Sequence, residues 1–330
     1  MNHVYIVTHT DLDGVASAAV AVRLLGRIDG GYTVSYAEPY NLDEVLAGLE
    51  QYIEEGDLLV VSDLGPNRSS FPGAVEVLKK LAGRRVDIEW YDHHVWSDDD
   101  KKALAGAGVK LFIDTSTCAA GVVARYMPSI HDARVDEYIE DLVAATCSAD
   151  LWRWDHPLSP KLFRVVGRNG EGQDGKDLVL KKLISGILWD EELEERLLDY
   201  LEKELEGFNN VQRTTYIYQG HGCRVAAAYK QGGPPANSFI GGMLLGRYSA
   251  DIAVIIRPNG GISLRSRRVN VQRIASSLGG GGHPRASGAK VDIPLIYRII
   301  SRIYPRMVSR YIARIVAREA GRLGSCTGPV

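Results

Sequence analysis

Several features that would define a class of protein are scarce in this sequence. The chain of 330 residues has only four cysteines, and they form neither a CxxC pair nor a zinc-knuckle spacing: Cys118, Cys147, Cys223 and Cys326. We therefore expect reduced thiols with mostly structural roles. No apolar run approaches the length of a membrane span, and the first residues lead into a strand without a signal-peptide pattern. The sequence predicts a cytoplasmic protein without membrane association.

Acidic residues are nearly missing from residue 210 onward. Residues 210–330 hold 18 Lys and Arg but only three acids, Asp251, Asp292 and Glu319, whereas 21 basic and 38 acidic residues precede them. Two parts of opposite charge suggest two functions. The acidic part can concentrate divalent cations, and the basic part can attract a nucleotide or a nucleic acid. The alternatives are that the two parts attract each other or that the charges are only solvated.

Short apolar runs alternate with segments of helical composition, which is typical of α/β proteins. Five such runs are present in the first part of the chain: Val4–Val7, Tyr32–Tyr36, Leu58–Ser62, Val86–Trp90 and Val109–Ile113. The third run is apolar throughout, like a strand buried on both faces of a parallel sheet. We predict two α/β domains, an N-terminal mostly parallel sheet flanked by helices and a smaller C-terminal mixed-sheet domain.

The domain organisation follows from composition and from turn signals. A length of 330 residues favours two compact domains. We predict a metal-binding catalytic domain over 1–177, a helical connector over 178–210, a substrate-binding domain over 211–296 and an arginine-rich helical tail over 297–330. In the second domain, Pro258-Asn259-Gly260 predicts a hairpin between two strands.

Metal-ligating residue types follow several of the predicted strands. The triplet Asp92-His93-His94 ends one strand, Asp63 ends another, and His9, Asp11 and Asp13 follow the first. Ligands bind at the carboxyl ends of the strands in open α/β sheets. Mixed carboxylate and imidazole groups suit Mn²⁺, Fe²⁺ or Zn²⁺ better than Ca²⁺. Helix capping or a turn would explain any one acid, but not three candidate ligands in five residues.

Two further acids differ in what they indicate. Asp150 follows a predicted helix of small, apolar residues, where a carboxylate is unfavourable unless it is paired or binds a metal. We favour metal binding for Asp150. Asp114 lies in a hydroxyl-rich turn with Ser116, and helix capping accounts for it.

The basic part contains two unusual segments. Four consecutive glycines, 279–282, precede His283 and Arg285, and such a run suits close approach of backbone amides to an anion. A flexible linker is the alternative. Arginines then recur every four residues from Arg298 to Arg322, so they should spiral around a helix that Pro305 interrupts. This tail is a candidate surface for nucleic acid, for a protein partner or second copy, or for the acidic part of the chain.

Taken together, these segments resemble the DHH phosphoesterase superfamily, in the branch that includes RecJ exonucleases and nanoRNases. The motifs that carry the resemblance are HTDLDGVAS, SDLG, YDHH and the Asp of CSADLW, followed by SLRSRRVNVQRIASSLGGGGHPRASG, which is similar to the DHH-associated C-terminal domain. The last segment has Ala286-Ser287-Gly288 where the family more often has Ala-Ala-Gly. No RecJ-type oligonucleotide-binding domain is recognisable.

The resemblance implies a site for two divalent metals, most readily Mn²⁺, with Mg²⁺ as an alternative. One metal would be bound by His9, Asp11 and Asp63, and the second by Asp13, Asp63, His93 and Asp150. In the same scheme Asp92 orients His93, and His94 contacts the scissile phosphate. The other end of the nucleotide would be bound by residues of the basic part: Arg265, Ser266, Gly281, Gly282, His283 and Arg285.

The function implied is metal-dependent hydrolysis of short oligonucleotides, or of the ends of single-stranded RNA or DNA. Hydrolysis of pAp, or of a linear or cyclic dinucleotide, is the enzymatic alternative, and inorganic pyrophosphate fits less well because it needs no nucleotide-binding segment. The non-enzymatic alternative is a RecJ-like factor of a replication complex. Such factors tend to lose metal ligands, and here the ligand positions are filled.

Overall fold

A computed structural model describes residues 2–166 and 173–326 of the chain. The chain divides into two compact units, Met1–Leu197 and Leu198–Val330. Within the described residues, no helix combines the length and the apolar character needed to cross a membrane.

The first unit is built from strands that alternate with helices. Its strands are β1 (Val4–His9), β2 (Tyr32–Ala37), β3 (Leu58–Ser62), β4 (Asp87–Asp92) and β5 (Lys110–Ile113). Its helices are α1 (Leu12–Leu24), α2 (Leu42–Leu49), α3 (Phe71–Gly83), α4 (Asp98–Gly106), α5 (Ala119–His131), α6 (Glu137–Asp150), α7 (Ser159–Val165) and α8 (Gln173–Ile184). A short 3₁₀ helix, Pro39–Asn41, precedes α2, and α9 (Glu191–Thr214) continues into the second unit.

All five predicted strands form one parallel sheet in the order β2-β1-β3-β4-β5. Strand β3 lies at its centre and is buried along its whole length, as its apolar sequence predicts. Side chains alternate between the two faces of the sheet, so Val4 and Ile6 join one core cluster while Val7 joins the other. Helices cover both faces, and the loops at the carboxyl ends of the strands come together at one edge.

The second unit also combines a sheet with helices. Its strands are β6 (Tyr216–Gly220), β7 (Cys223–Tyr229), β8 (Ile252–Ile256), β9 (Gly261–Arg265), β10 (Gly281–Gly282) and β11 (Ala286–Lys290). Its helices are α10 (Asn237–Arg247), α11 (Val271–Ser277), α12 (Leu295–Ile300) and α13 (Arg306–Arg322).

The strands of this unit form a mixed sheet in the order β10-β11-β9-β8-β7-β6, in which only β7 and β8 are parallel neighbours. The predicted hairpin between β8 and β9 is present. Helices α11 and α13 pack on one face of the sheet, and α10 packs on the other. The predicted fold class, two α/β domains with a parallel and a mixed sheet, is confirmed.

The arginine-rich tail is a structural part of the second unit. Pro305 separates α12 from α13, as expected from its missing N–H group. Val308, Ile312 and Val316 of α13 are fully buried against the sheet. The arginines stay in solvent, because a four-residue spacing advances by only about 40° per step around a helix of 3.6 residues per turn. They therefore follow the exposed side of α13 rather than spiralling around the whole helix.

The expectation of reduced cysteines was wrong. Cys118 is bonded to Cys147 in the first unit, and Cys223 is bonded to Cys326 in the second. The Cα atoms are 5.0 Å and 5.5 Å apart, within the usual range for disulfides. Sequence separations of 29 and 103 residues gave no local spacing by which these pairs could be recognised.

Candidate metal centre

The three central strands of the parallel sheet bring their carboxyl ends together. His9 is the last residue of β1, Asp63 follows the last residue of β3, and Asp92 is the last residue of β4. Because β1, β3 and β4 are direct neighbours in the sheet, side chains that are far apart in sequence meet at one edge. Asp63 has a φ of 56°, in the left-handed region that an Asp adopts more readily than most residues, at the point where the chain leaves β3.

A first group of ligand atoms surrounds the His9 ring. Nδ1 of His9 lies 3.0 Å from an oxygen of Asp11 and 3.5 Å from Oδ2 of Asp63. Asp11 is also the N-cap of α1, where its carboxylate accepts a hydrogen bond from the N–H of Gly14. His9, Asp11 and Asp63 each offer one ligand atom, and these atoms all lie within 4.8 Å of one another. The group could therefore hold a metal ion.

A second group surrounds the ring of His93, directly after β4. Nε2 of His93 lies 3.4 Å from Oδ1 of Asp63 and 3.8 Å from Oδ2 of Asp13, and its Nδ1 lies 3.7 Å from Oδ2 of Asp150. Asp150 is the last residue of α6 rather than a residue beyond it. Asp63 therefore has one oxygen facing each histidine, and the two groups adjoin through its carboxylate.

Two carboxylate oxygens of this cluster are buried without a hydrogen-bond donor among the described residues, as expected of atoms that bind a metal. Oδ2 of Asp63 and Oδ2 of Asp150 are buried and accept no hydrogen bond among the residues that the structure describes. A buried carboxylate oxygen without a donor is unfavourable unless a cation or another donor compensates it. Asp13 is different, because both of its oxygens accept backbone N–H groups of Ala119 and Ala120 at the N-terminus of α5.

Burial and the closeness of the charged groups shift the pKa values of these side chains. Burial, reinforced by the charges of Asp63 and Asp150, raises the pKa of Asp13 well above its usual range. Burial likewise raises the pKa of Asp150 to about 6, against the opposing effect of His93. For His93, burial lowers the pKa, but the hydrogen bond to Asp63 and the neighbouring carboxylates outweigh it and raise the value to about 10. The carboxylates therefore favour a positive charge on the neighbouring histidine. A divalent cation bound among them would supply that positive charge instead.

Asp92 is placed differently from the expectation. Its Oδ1 lies 2.8 Å from Nδ1 of His94, and its Oδ2 accepts a hydrogen bond from the indole N–H of Trp96 at 2.6 Å. We predicted that Asp92 contacts His93, but the described residues form no hydrogen bond between these two side chains. The ring of His94 contacts the Asp92 carboxylate instead. Asp92 is fully buried, so it fixes the orientation of His94.

Glu38 was not among the predicted site residues. It contacts Nε2 of His9, the ring nitrogen opposite the one that faces Asp11 and Asp63. Oε2 of Glu38 lies 3.3 Å from Nε2 of His9, and its Oε1 accepts a hydrogen bond from the hydroxyl of Thr10 at 2.6 Å. Histidines that bind metals commonly use the second ring nitrogen in this way. Glu38 directly follows β2, so the strand-end rule that identified Asp63 would also have identified it.

Asp114 takes no part in the cluster. Its carboxylate accepts hydrogen bonds from the backbone N–H and the hydroxyl of Ser116 and pairs with Arg125. The N-cap of α5 is Cys118, so Asp114 stabilises the preceding turn instead of capping the helix.

In the second unit, the glycine-rich segment forms a tight hairpin with β11. Gly281 and Gly282 pair with Gly288 and Ser287, so these two glycines belong to a short strand and not to a flexible linker. Gly282 has a φ of 129°, where a side chain would be strained and would meet the backbone of Ala286. His283 at the tip of the hairpin is exposed to solvent.

Two of the remaining predicted substrate contacts are accessible and one is not. Arg285 is exposed, and Arg265 at the end of β9 is partly exposed, with one guanidinium nitrogen 3.4 Å from the hydroxyl of Ser238. Ser266 is only 5% exposed, and its hydroxyl donates to the carbonyl of Asp251 and accepts two backbone N–H groups of its own turn. The predicted role of Ser266 in substrate binding is therefore replaced by a structural one.

Two parts of the chain match models of known protein families. Residues 3–149 match the family model described as DHH family, N-terminal domain, and residues 224–304 match the DHHA1 domain. No curated protein matches the chain in sequence.

Solved structures share the fold at low sequence identity. A manganese-bound exonuclease RecJ is 16% identical with a TM-score of 0.62, and the match covers 96% of this chain and 90% of that one. An exopolyphosphatase-related protein from Bacteroides fragilis is 14% identical with a TM-score of 0.60, covering 98% and 93%. The pGpG-specific phosphodiesterase PggH from Vibrio cholerae is 16% identical with a TM-score of 0.55, covering 93% and 99%.

The two family models together match more than half of the chain. The first contains the whole parallel sheet, and the second contains the mixed sheet except for β6 and the first residue of β7. The residues of the HTDLD, SDLG and YDHH motifs lie at the same edge of the first sheet. The chain belongs to the DHH family of metal-dependent phosphoesterases.

Proposed function

We propose that this protein is a two-metal-dependent phosphodiesterase that hydrolyses short oligonucleotides or the ends of single-stranded nucleic acid. The observation that carries the proposal is the cluster of four carboxylates and two histidines in which Asp63 adjoins both groups of ligand atoms. Oδ2 of Asp63 and Oδ2 of Asp150 are buried and accept no hydrogen bond among the described residues, which supports metal binding at these positions.

The proposed ligands divide between two ions. His9, Asp11 and Asp63 would hold one, and Asp13, Asp63, His93 and Asp150 would hold the other. Divalent ions bound there would lower the pKa of water and neutralise charge on the phosphoryl oxygens. Mn²⁺ is our first choice and Mg²⁺ the second, because imidazole and carboxylate ligands are combined.

His94 is the residue that we assign to the scissile phosphate. Its side chain is 36% exposed, whereas Asp92 behind it is fully buried. Burial alone would lower the pKa of His94, but the hydrogen bond to Asp92 and its charge raise that pKa above the usual value. The raised pKa favours the protonated imidazole, which can donate a hydrogen bond to a phosphoryl oxygen and stabilise its negative charge.

The basic second unit would bind the remaining part of the nucleotide. His283 and Arg285 offer exposed donors beside the backbone of Gly281 and Gly282, and Arg265 lies at the end of a neighbouring strand. The rarity of acids in this unit favours a polyanionic ligand. Similarity to a pGpG-specific phosphodiesterase supports dinucleotides as the second substrate class.

One assay compares these substrates directly. Purified protein with Mn²⁺ or Mg²⁺ is incubated with end-labelled RNA and DNA of graded length, and in parallel with pAp, pGpG, cyclic dinucleotides and pyrophosphate. We expect release of mononucleotides from the end of short strands, faster with Mn²⁺. Hydrolysis of pAp or pyrophosphate alone would replace the proposed substrate, and a folded protein that cleaves none of them with either metal would support a non-enzymatic replication factor instead.

A further inference from the structure

The exposed side of α13 borders a groove on the second unit. The groove has a volume of about 590 Å³, and its lining includes tyrosines, a histidine and arginines, among them Tyr218, His221, Tyr297, Arg310, Arg314 and Arg318. Most of this lining lies outside residues 224–304, which match the DHHA1 domain. None of its residues belongs to the candidate metal centre or to the glycine-rich hairpin.

The walls of the groove are held in place by the core of the unit. One side of α13 is buried against β6 and β7, with Ile312 and Val316 fully inaccessible. The disulfide between Cys223 and Cys326 joins the start of β7 to the chain just beyond α13. Gly321 permits close contact at this end, because a Cβ atom there would lie 2.7 Å from the Cβ of His221. The groove is therefore a preformed surface.

Most of the positive charge in and beside the groove has no acidic partner among the described residues. Among the residues that the structure describes, no carboxylate lies within 4 Å of Arg306, Arg310 or Arg314. The one acid of α13, Glu319, pairs with Arg322 at 2.9 Å and reaches Arg318 at 4.0 Å. Guanidinium groups repeated along one side of a helix, without acidic partners, are suited to binding a row of phosphates.

The same groove presents aromatic faces beside these charges. Tyr297 and Tyr311 stack with ring centroids 4.6 Å apart and an angle of 23° between their planes. The ring of Tyr218 lies 6.4 Å from that of His221. Outside the lining of the groove, the guanidinium of Arg310 also lies 5.9 Å from the ring of Tyr216. Alternating guanidinium groups and aromatic rings bind single strands, because unpaired bases stack on rings while arginines contact the backbone.

We propose that this groove binds single-stranded nucleic acid, with phosphates on Arg310, Arg314 and Arg318 and bases against Tyr218 and Tyr297. The inference extends the proposed function, since it gives the enzyme an additional binding surface for strands longer than a dinucleotide. Binding at the groove requires no metal, so it can be measured separately from hydrolysis.

The test uses the full chain with Arg310→Gln, Arg314→Gln and Arg318→Gln combined. A matched control combines Arg224→Gln, Arg247→Gln and Arg257→Gln, which remove the same charge from exposed positions elsewhere in the unit. Fluorescence anisotropy with a labelled single strand, in EDTA and over a range of salt concentrations, gives the dissociation constant. Losing three phosphate contacts should weaken binding about 100-fold at about 0.1 M salt and reduce the slope of log K against log salt by about 2. The control should change both quantities much less.

A second variant, Tyr218→Leu with Tyr297→Leu, tests the stacking component. Its affinity should fall by about 30-fold or more, because two stacking rings are removed, while the salt slope stays at the wild-type value because no ionic contact is lost. Thermal unfolding of the arginine variant should match that of the control, since its substituted side chains are exposed. The tyrosine variant, whose rings also pack against the core of the unit, is compared with wild type below its own unfolding transition.

The outcomes separate this inference from the proposed function. Equal affinities and salt slopes for the arginine variant and its control would overturn the groove proposal. A change in sedimentation mass of the arginine variant without a change in strand binding would assign the surface to a second copy of the chain and overturn it too. A wild-type protein that binds strands at the groove but hydrolyses nothing with Mn²⁺ would leave the groove proposal intact and remove the proposed function.

Discussion

The two units of this protein place charge in opposite ways. The first unit buries carboxylates at the ends of its strands, and Asp13, Asp63 and Asp92 are each no more than 3% exposed. The second unit keeps its arginines in solvent and buries Lys230, whose ammonium group donates to the carbonyl of Pro235 at 2.6 Å. Buried acids face one small volume, whereas exposed arginines are spread along a surface.

This difference shows what each unit can bind. Converging buried carboxylates raise one another's pKa and are stabilised by a small, highly charged cation. Dispersed guanidinium groups gain little from a small ion, but they match the repeated phosphates of an extended polyanion. A phosphoesterase needs both kinds of surface, since the metals act at one phosphate while the rest of the substrate must be held elsewhere.

The largest effect is expected for Asp63→Asn, which removes charge from the carboxylate that faces both histidines. We expect the turnover rate to fall by more than about 100-fold, beyond the range found when only an outer partner of a metal ligand is changed. Steady-state hydrolysis and metal content by mass spectrometry measure the effect. Asp114→Asn is the control, because that carboxylate bonds only its own turn and Arg125. Similar losses in both variants would contradict a metal role for Asp63.

A smaller effect is expected for Glu38→Gln at the far side of His9. The neutral amide keeps the size of the side chain but weakens the hold on the imidazole Nε2–H, so metal affinity should fall by about 10- to 100-fold. Calorimetric titration with Mn²⁺ gives the affinity, and excess Mn²⁺ should restore much of the activity. Glu44→Gln, at an exposed position of α2, should bind Mn²⁺ like the wild type. Failure of Mn²⁺ to restore Glu38→Gln would argue against a positioning role.

His283→Ala should act on substrate binding without affecting the metals. Loss of a charge-assisted hydrogen bond to a phosphate corresponds to about a 10-fold rise in KM for a dinucleotide substrate. Metal content should remain at the wild-type level, which distinguishes this variant from Asp63→Asn. A reduced metal content after His283→Ala would contradict the proposal that the first unit binds the metals and the second unit binds the substrate.

The smallest effect concerns Lys230 and stability. Burial, with the nearby charge of Arg257, lowers the pKa of Lys230 from 10.5 to about 8. Between these two pH values the unfolded chain binds a proton that the folded chain does not, so the stability of the folded state rises with pH across this window. Denaturant unfolding on both sides of pH 8 should therefore show wild type gaining stability relative to Lys230→Met as pH increases. A difference that does not vary with pH would mean that Lys230 titrates normally.

The fold class and most residues of the candidate centre could be predicted from local sequence patterns. Apolar runs fixed the five parallel strands, and the polar residues at their ends had to meet because parallel strands finish at the same edge. This reasoning brought His9, Asp63 and His93 together from three separate segments. The hairpin between β8 and β9 and the break at Pro305 were equally local, since each depends on backbone properties of a few adjacent residues.

Tertiary structure decided which groups touch. Whether Asp92 contacts His93 or His94 depends on how the chain turns after β4. Trp96 anchors that turn by packing against Trp90 and against Phe71, which is far away in sequence. The disulfides and the buried hydroxyl of Ser266 likewise depend on contacts between segments far apart in sequence. The arginines of α13 form one exposed surface because the opposite side of the helix is buried in the core of the second unit. Periodicity gave the spacing of those arginines, but only packing determined which side of the helix meets solvent.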